Sequence, residues 1–459
     1  MTKSIKSFAV LSAFAMALWL VLFPPLFLSP VAARAAAFTI VILSFWATGF
    51  IAEYLTALIF FTGAMLFNIA QPNIIFSGFS SGAFWLIFGG LVLGVAINVT
   101  GLGKRIAAKV TSRFNRSYGQ LIVGLVFSGV FSGLLMPSAL GRVVLLVPIA
   151  VTIAEQFGLQ KGRKGYTGMV VAIVLGSFLP GFAILPANVP NMVLSGLSET
   201  LYQYSPLYGE YLILHFPVLG IIKSLLLCLI IFLLFPDTLA NESLTRQQEK
   251  GTMSSSEKIL LVVLLVMLAL WIFDFMHHIS PAWIAMAGAC IVLLPFVNIV
   301  SSKLFQQKIN FGSLFYIAGI LGLGQMINHT GLGSALARQS IGVLPLDNGT
   351  PFLNYMSLSI LSLVTGIFTT QPGIPAVLTP FAGELAAATG FSIKTVLMTQ
   401  VLGFSQPLFP YQVPPLIIGM QLAGVNLFEA FKVCLLMLIG AVVLIFPLDY
   451  FWWHYLGWL

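Results

Sequence analysis

Charge is what this 459-residue chain has least of. Asp, Glu, Lys and Arg make up 7% of it, with 13 acids against 21 bases, where a soluble globular chain carries about 25%. That excludes a water-soluble protein. Cysteine is scarce too: Cys228, Cys290 and Cys434 stand singly inside apolar runs, which excludes a disulfide framework or a cysteine metal cluster. Of the five histidines only His277 and His278 adjoin, with no HExxH or Cys/His spacing beside them, so no metal site is expected. Polar stretches are nearly lacking, the long one being residues 237–258. The net charge of +8 is carried in short loops between apolar runs. That is the distribution of the positive-inside rule, and it argues for lipid and against nucleic acid as a partner.

What is present in excess is apolar length. Runs of 17 or more apolar residues recur along the chain, the transmembrane-helix signal. Lys3 and Lys6 precede the run Phe8 to Leu28, and Ala33-Arg34-Ala35 imitates a cleavage site. The run is long enough to span, however, and is read as a retained first helix.

One stretch is written twice. Phe84 to Gly103 (FWLIFGGLVLGVAINVTGLG) lies over Leu314 to Gly333 (LFYIAGILGLGQMINHTGLG) at an offset of 230, with eleven of twenty positions identical, including Asn98/Asn328 and Thr100/Thr330. Trp46 with Trp271, Gly63 with Gly288 and Ala64 with Ala289 agree at an offset of 225. A period of half the chain means duplication. The predicted fold is an all-α polytopic membrane protein of two inverted-topology repeats. About eleven transmembrane helices, two re-entrant hairpins and two discontinuous helices are expected. Residues 1–35 form an N-terminal helix. Residues 36–236 are the first repeat, with a hairpin at about 121–157 and a broken helix at about 167–198. Residues 237–258 are a cytoplasmic linker. Residues 259–459 are the second repeat, with a hairpin at about 354–390 and a broken helix at about 395–424. The basic loops place the N-terminus in the cytoplasm and the C-terminus outside.

The breaks come in matched pairs. Ser138 and Pro148 frame Gly141 (SALGRVVLLVP) as Thr370 and Pro380 frame Gly373 (TQPGIPAVLTP). Pro186 to Pro190 (PANVP) and Pro410 to Pro414 (PYQVP) share P-x-x-V-P. Broken backbone is tolerated in lipid only where it faces protein or a water-filled cavity. Four broken places therefore predict one internal site, with helix N-termini toward an anion and freed carbonyls toward a cation. Proline kinks alone would not come in matched places. Arg142, inside an apolar hairpin, marks function by default. It is read as an anion fork, as a stand-in for a coupling cation, as the partner of Glu155 or Glu384, or as snorkelling to the interface. Glu53 and Asp274 lie near span ends, Asn98 and Asn328 are read as capping, and Glu384 is a candidate proton carrier.

Trp46, Thr48 and Thr56 to Leu58, then Phe76 to Gly90 (FSGFSS…WLIFGG) and the T-G-L-G, resemble the divalent-anion:sodium symporter family. The resemblance covers nearly the whole chain. It implies a scaffold and a moving transport domain, elevator-type alternating access and a homodimer. It also implies that each hairpin tip and each helix turn helps bind sodium and a substrate carboxylate. Carried onto this chain, the substrate residues are Ser138, Gly141, Asn188, Pro190, Asn191, Thr370, Gln371, Gly373, Gln412 and Pro414, with Arg142 added on its charge, since the family pattern has a small residue there. The coupling-ion residues are Ser138, Ala139, Ala187, Asn188, Thr369 and Thr370, with Glu384 added as the candidate proton carrier. The tips depart from the family's Ser-Asn-Thr, reading Ser138-Ala139-Leu140 and Thr370-Gln371-Pro372. The turns depart as Asn188-Val189-Pro190-Asn191 and Gln412-Val413-Pro414-Pro415.

The expected function is secondary transport of a small, di- or tricarboxylate-like anion in a bacterial-type inner membrane. Sodium or protons would drive it, with no cofactor beyond a possible Na+. Exchange, or an inorganic oxyanion as cargo, is the alternative within transport. A non-transport membrane subunit would not need four broken elements. An intramembrane enzyme would need a nucleophile-base pair that is not visible, so no enzymatic activity is expected.

Overall fold

The computed structural model describes residues 3–111, 117–136, 138–239, 252–342, 344–409 and 412–459. Pro137, Pro410, the two arginines Arg113 and Arg116, and most of the linker lie outside them. The regular structure of the described residues is helical with no strand, and ten helices are long and apolar enough to cross a membrane, or eleven if one bent pair counts as a span.

The first helix, Lys3–Leu22, ends where Pro24 and Pro25 follow. The second starts at Pro30, earlier than expected, because Ser29 caps it by accepting from the Ala32 N–H at 3.1 Å and Pro30 fits the first turn. The order of elements from Gly82 to Leu234 recurs from Phe311 to Tyr455. It runs long helix, short helix, hairpin, broken helix, long terminal helix.

The first hairpin has two full arms, Tyr118–Leu135 and Ala139–Gln156, each of 18 residues. These are not the short pieces expected, and Pro148 is carried inside the second arm without ending it. The first broken helix is Lys164–Phe178 followed by Val189–Tyr202. Its two halves are joined through short 3-10 turns that carry Pro180 and Pro186. In the second half the hairpin arm Pro351–Phe368 leads into Gly373–Leu378 and Ala382–Thr389, with Pro380 in the turn between. The second broken helix is Ile393–Phe404 and Pro414–Leu422.

Each broken helix is pressed against the first arm of its hairpin. A Cβ on Gly129 would stand 2.3 Å from the Gly176 carbonyl carbon, so only glycine permits that approach. Ser362 donates to the Gln400 carbonyl at 2.8 Å in the corresponding place of the second half.

Both terminal helices run on through proline. Tyr208–Leu234 and Leu427–Tyr455 contain π-helical stretches, Phe216–Ile222 around Pro217 and Ala441–Ile445 just before Pro447. The widened turn takes up the missing N–H that would otherwise end a helix. The last helix therefore extends well past Phe446, the end expected from the sequence.

Candidate functional site

The tips and breaks meet. A cavity of about 620 Å³, in the range of small-molecule sites, is lined by Ser138, Ala139, Leu140 and Gly141 of the first tip and by Asn188, Val189 and Pro190 of the first break. Thr370, Gln371 and Pro372 of the second tip line it as well, with Gln412, Val413, Pro414 and Pro415 of the second break. Residues that cap helix N-termini stand at its wall: Ser138 begins Ala139–Gln156, Asn188 begins Val189–Tyr202, and Val413 begins Pro414–Leu422. Such ends carry partial positive charge and suit an anion. Ser138 caps in the usual way, its Oγ accepting from the Gly141 N–H at 3.1 Å.

The other expected site residues serve behind the wall. Asn191 is fully buried, its Nδ2 donating to the carbonyls of Gly181 and Ile184, both at 2.9 Å, so it holds the first break in shape. Ala187 offers its carbonyl to Arg142. Gly373 sits against Thr369, where a Cβ would meet the Thr369 hydroxyl at 2.2 Å. Glu384, on Ala382–Thr389, does not line the cavity.

Arg142 is fully buried and does not line the cavity either. Its guanidinium is ringed by oxygens: Nε donates to the Ser177 carbonyl at 2.8 Å, Nη1 to the carbonyls of Met136 and, at 3.0 Å, Ala187, and Nη2 to Asn188 Oδ1 at 3.0 Å. Neither Glu155 nor Glu384 pairs with it, and it does not snorkel. Asn188 links the guanidinium to the cavity wall, with Nδ2 donating to the Phe178 carbonyl at 3.0 Å.

In the second half the released carbonyls are met by amides and an ammonium. Gln371 Nε2 donates to the Phe404 carbonyl at 2.8 Å, and Gln412 Nε2 donates to the Gly366 carbonyl. Gln412 Oε1 accepts from the N–H groups of Leu408 and Phe409 at 2.8 and 2.7 Å. Lys223, also buried, donates from Nζ to the Ser405 carbonyl at 2.6 Å and to Ser405 Oγ at 3.2 Å. Buried Asp449 accepts from Tyr355 OH at 2.9 Å and acts electrostatically on Lys223.

Lys223 and Asp449 escaped the sequence reading, although a lone charge in an apolar run is the signal that singled out Arg142. Also missed were Trp46 and Tyr316 as wall residues. Their rings meet edge-on at 5.5 Å, and Tyr316 OH lies 3.3 Å from Thr370 Oγ1. Lys6, Glu53, Lys308 and Asn310 line the same cavity, and the last three are exposed, so its mouth lies among them. Asp274, by contrast, is buried, accepting from the Tyr208 N–H at the start of a long helix.

Residues 40–404 match the family described as "Citrate transporter". A protein named "Membrane protein" from Cupriavidus necator is 25% identical over 395 residues, 83% of this chain and 76% of that one. The L-tartrate/succinate antiporter of Escherichia coli is 24% identical over 373 residues, 76% and 75% of the two chains. The sodium-dependent dicarboxylate transporter SdcS of Staphylococcus saprophyticus is 22% identical over 400 residues, 81% and 76%. Among solved structures, the Alcanivorax borkumensis YdaH transporter superposes with a TM-score of 0.54 at 18% identity, over 84% of this chain and 88% of that one, a likeness of fold.

Proposed function

This chain belongs to the citrate transporter family, and from that membership we propose that it carries a small di- or tricarboxylate across a bacterial plasma membrane, with the cavity as the carboxylate site. The observation that carries the reading is the convergence of both hairpin tips and both helix breaks on one cavity. Irregular backbone at membrane depth is costly unless it lines such a space. Helix starts at Ser138 and Asn188 offer an anion their partial positive charge, and the hydroxyls of Ser138 and Thr370 supply donors at the wall. Relatives named for tartrate, succinate and dicarboxylate transport support the substrate class.

The two halves are inverted repeats in this reading, and transport is elevator-type, the hairpins and broken helices moving against the remaining helices of a homodimer. Lys6 and Lys308 sit at the cavity mouth, so with basic loops in the cytoplasm the structure stands open inward, N-terminus inside and C-terminus outside.

The test is thermal stabilisation of the purified protein by citrate, succinate and tartrate, with succinamide as the neutral control. A shift with the acids and none with the amide is expected. Stabilisation by sulfate or phosphate, with no response to any carboxylate, would replace this reading with an inorganic oxyanion carrier.

A further inference from the structure

The tips and breaks offer an anion donors at the cavity wall but no whole charge. They present the hydroxyls of Ser138 and Thr370 and the helix-start amides of Ala139 and Leu140. The side-chain amides of Gln371 and Gln412 are spent on carbonyls. Among the described residues, the lysines and arginines that line the cavity are Lys6 and Lys308, and both stand at its mouth.

The two arrive from distant parts of the chain. Lys6 lies near the start of the first helix, Lys3–Leu22, and is half-buried. Its Nζ donates to the Gly49 carbonyl at 3.1 Å. Gly49 closes the helix Pro30–Thr48 in the left-handed region, with φ of 54°, so the ammonium is tethered to a negative helix end. An ammonium has three donors, and that bond takes one. Lys308 ends the short helix Ser302–Lys308 and is exposed. Asn310 follows, its Oδ1 accepting from the Ser313 N–H at 3.2 Å, which leaves the amide nitrogen as a donor. Glu53 lines the same mouth and forms an ion pair with neither lysine.

We propose that Lys6, Lys308 and Asn310 form a second anion site at the mouth, which takes up the carboxylate cargo ahead of the tips and favours the more highly charged acid. The proposal rests on the carboxylate-carrier reading.

Two observations carry it. The whole positive charges that face the cavity are gathered at its open end, and among the described residues neither lysine is spent on an acid. Both lysines also lie outside the hairpins and broken helices. In an elevator they stay with the fixed helices and meet cargo only from the side on which the cavity is open. Attraction to exposed lysines grows with the charge of the cargo and is screened by salt over about 10 Å at 0.1 M. Citrate, a trianion at neutral pH, therefore gains more than the dianion succinate, and neutral succinamide gains nothing. Glu53 acts in the opposite sense.

The experiment measures citrate and succinate affinity of the purified full chain by calorimetry, in low salt and in about 0.5 M salt. The double variant Lys6→Gln, Lys308→Gln is expected to weaken citrate about tenfold and succinate about threefold in low salt, both losses shrinking in high salt. Glu53→Gln should move citrate the other way, to about threefold tighter binding. Lys303→Gln, on the same short helix but exposed and away from the cavity, should bind as wild type does.

Wild-type citrate affinity in the double variant at low salt would overturn the proposal. So would an equal loss in Lys303→Gln, which would make the effect one of general surface charge, or a loss that salt does not reduce. Should the double variant not fold, Lys308→Gln decides, because that side chain is exposed and outside any ion pair. A loss of about threefold is expected there, and none would overturn the proposal. Wild-type protein that binds none of the acids would overturn the carboxylate reading and the proposal together. Binding without these charge effects overturns the proposal alone.

Discussion

The two halves of this chain face one difficulty and answer it with different chemistry. In each, a helix breaks and releases carbonyls that lipid cannot satisfy. The first half answers with one guanidinium, which gathers three backbone carbonyls and the Asn188 side chain. The second is met by its own Gln371 and Gln412 and by Lys223, which reaches across from the terminal helix of the first half, each on a different carbonyl. Among the described residues neither the guanidinium nor the ammonium forms an ion pair with an acid. The lesson is a division of labour. Of two buried cations, both from the first half, Arg142 holds the break of its own half and Lys223 reaches across to hold that of the other.

The comparison breaks hardest at Lys223. Lys223→Met leaves the buried Ser405 carbonyl without its ammonium donor, a loss of about 1–3 kcal/mol, read by thermal unfolding in detergent. A variant as stable as wild type would deny Lys223 its structural role. Next in size is Asn188→Asp, which sets a carboxylate in the place of the amide now 3.0 Å from Arg142 Nη2 and neutralises the fixed charge. Succinate binding should weaken about 100-fold, which is about 2.8 kcal/mol, while folding is kept. Unchanged affinity, measured calorimetrically, would show that the guanidinium does not act on the anion. Tyr316→Phe, on the second-half side of the cavity, removes one hydroxyl facing Thr370. It should cost about 1 kcal/mol, roughly a fivefold rise in KM for carboxylate transport. No rise would take Tyr316 out of the site.

The smallest effect lies at the end of the first half, outside the spans. Burial lifts the Asp237 carboxyl, but the Arg163 guanidinium and the N–H groups of Thr238 and Gly165 outweigh it and hold the group below the usual carboxylate range. With the folded pKa below the unfolded value of about 3.9, the stabilisation is present at neutral pH. It disappears as pH falls below about 4. Asp237→Asn should melt lower than wild type at pH 7, with the gap closing in acid.

Much of this was legible in the sequence. The repeat and the prolines located both hairpins and both broken helices, because a missing N–H and a matched spacing are local facts. Arg142 was legible as a charge in an apolar run. Its partners were not, since Ser177 and Ala187 bind it through backbone atoms that carry no side-chain signature. Asp449 was hidden because Phe446-Pro447 reads as a helix end, and only the π-helical stretch carries the chain past it. Lys6 and Lys308 read as loop charges that orient the protein. That they share one cavity mouth depends on how distant helices pack. Glu384 failed as a site residue because its distance from Pro380 in sequence does not say which way the chain turns after Thr379–Phe381.

The helix that starts at Pro414-Pro415 has a further consequence. Two of the residues that should offer amide hydrogens to the cavity have none, whereas the helix that starts after Ser138 keeps them at Ala139 and Leu140. The helix starts at the pocket thus differ in how many amide hydrogens they offer it. A cargo whose own two ends are alike can enter either way round. In the carboxylate-carrier reading, one with a charged head and a neutral tail would fit in a single orientation.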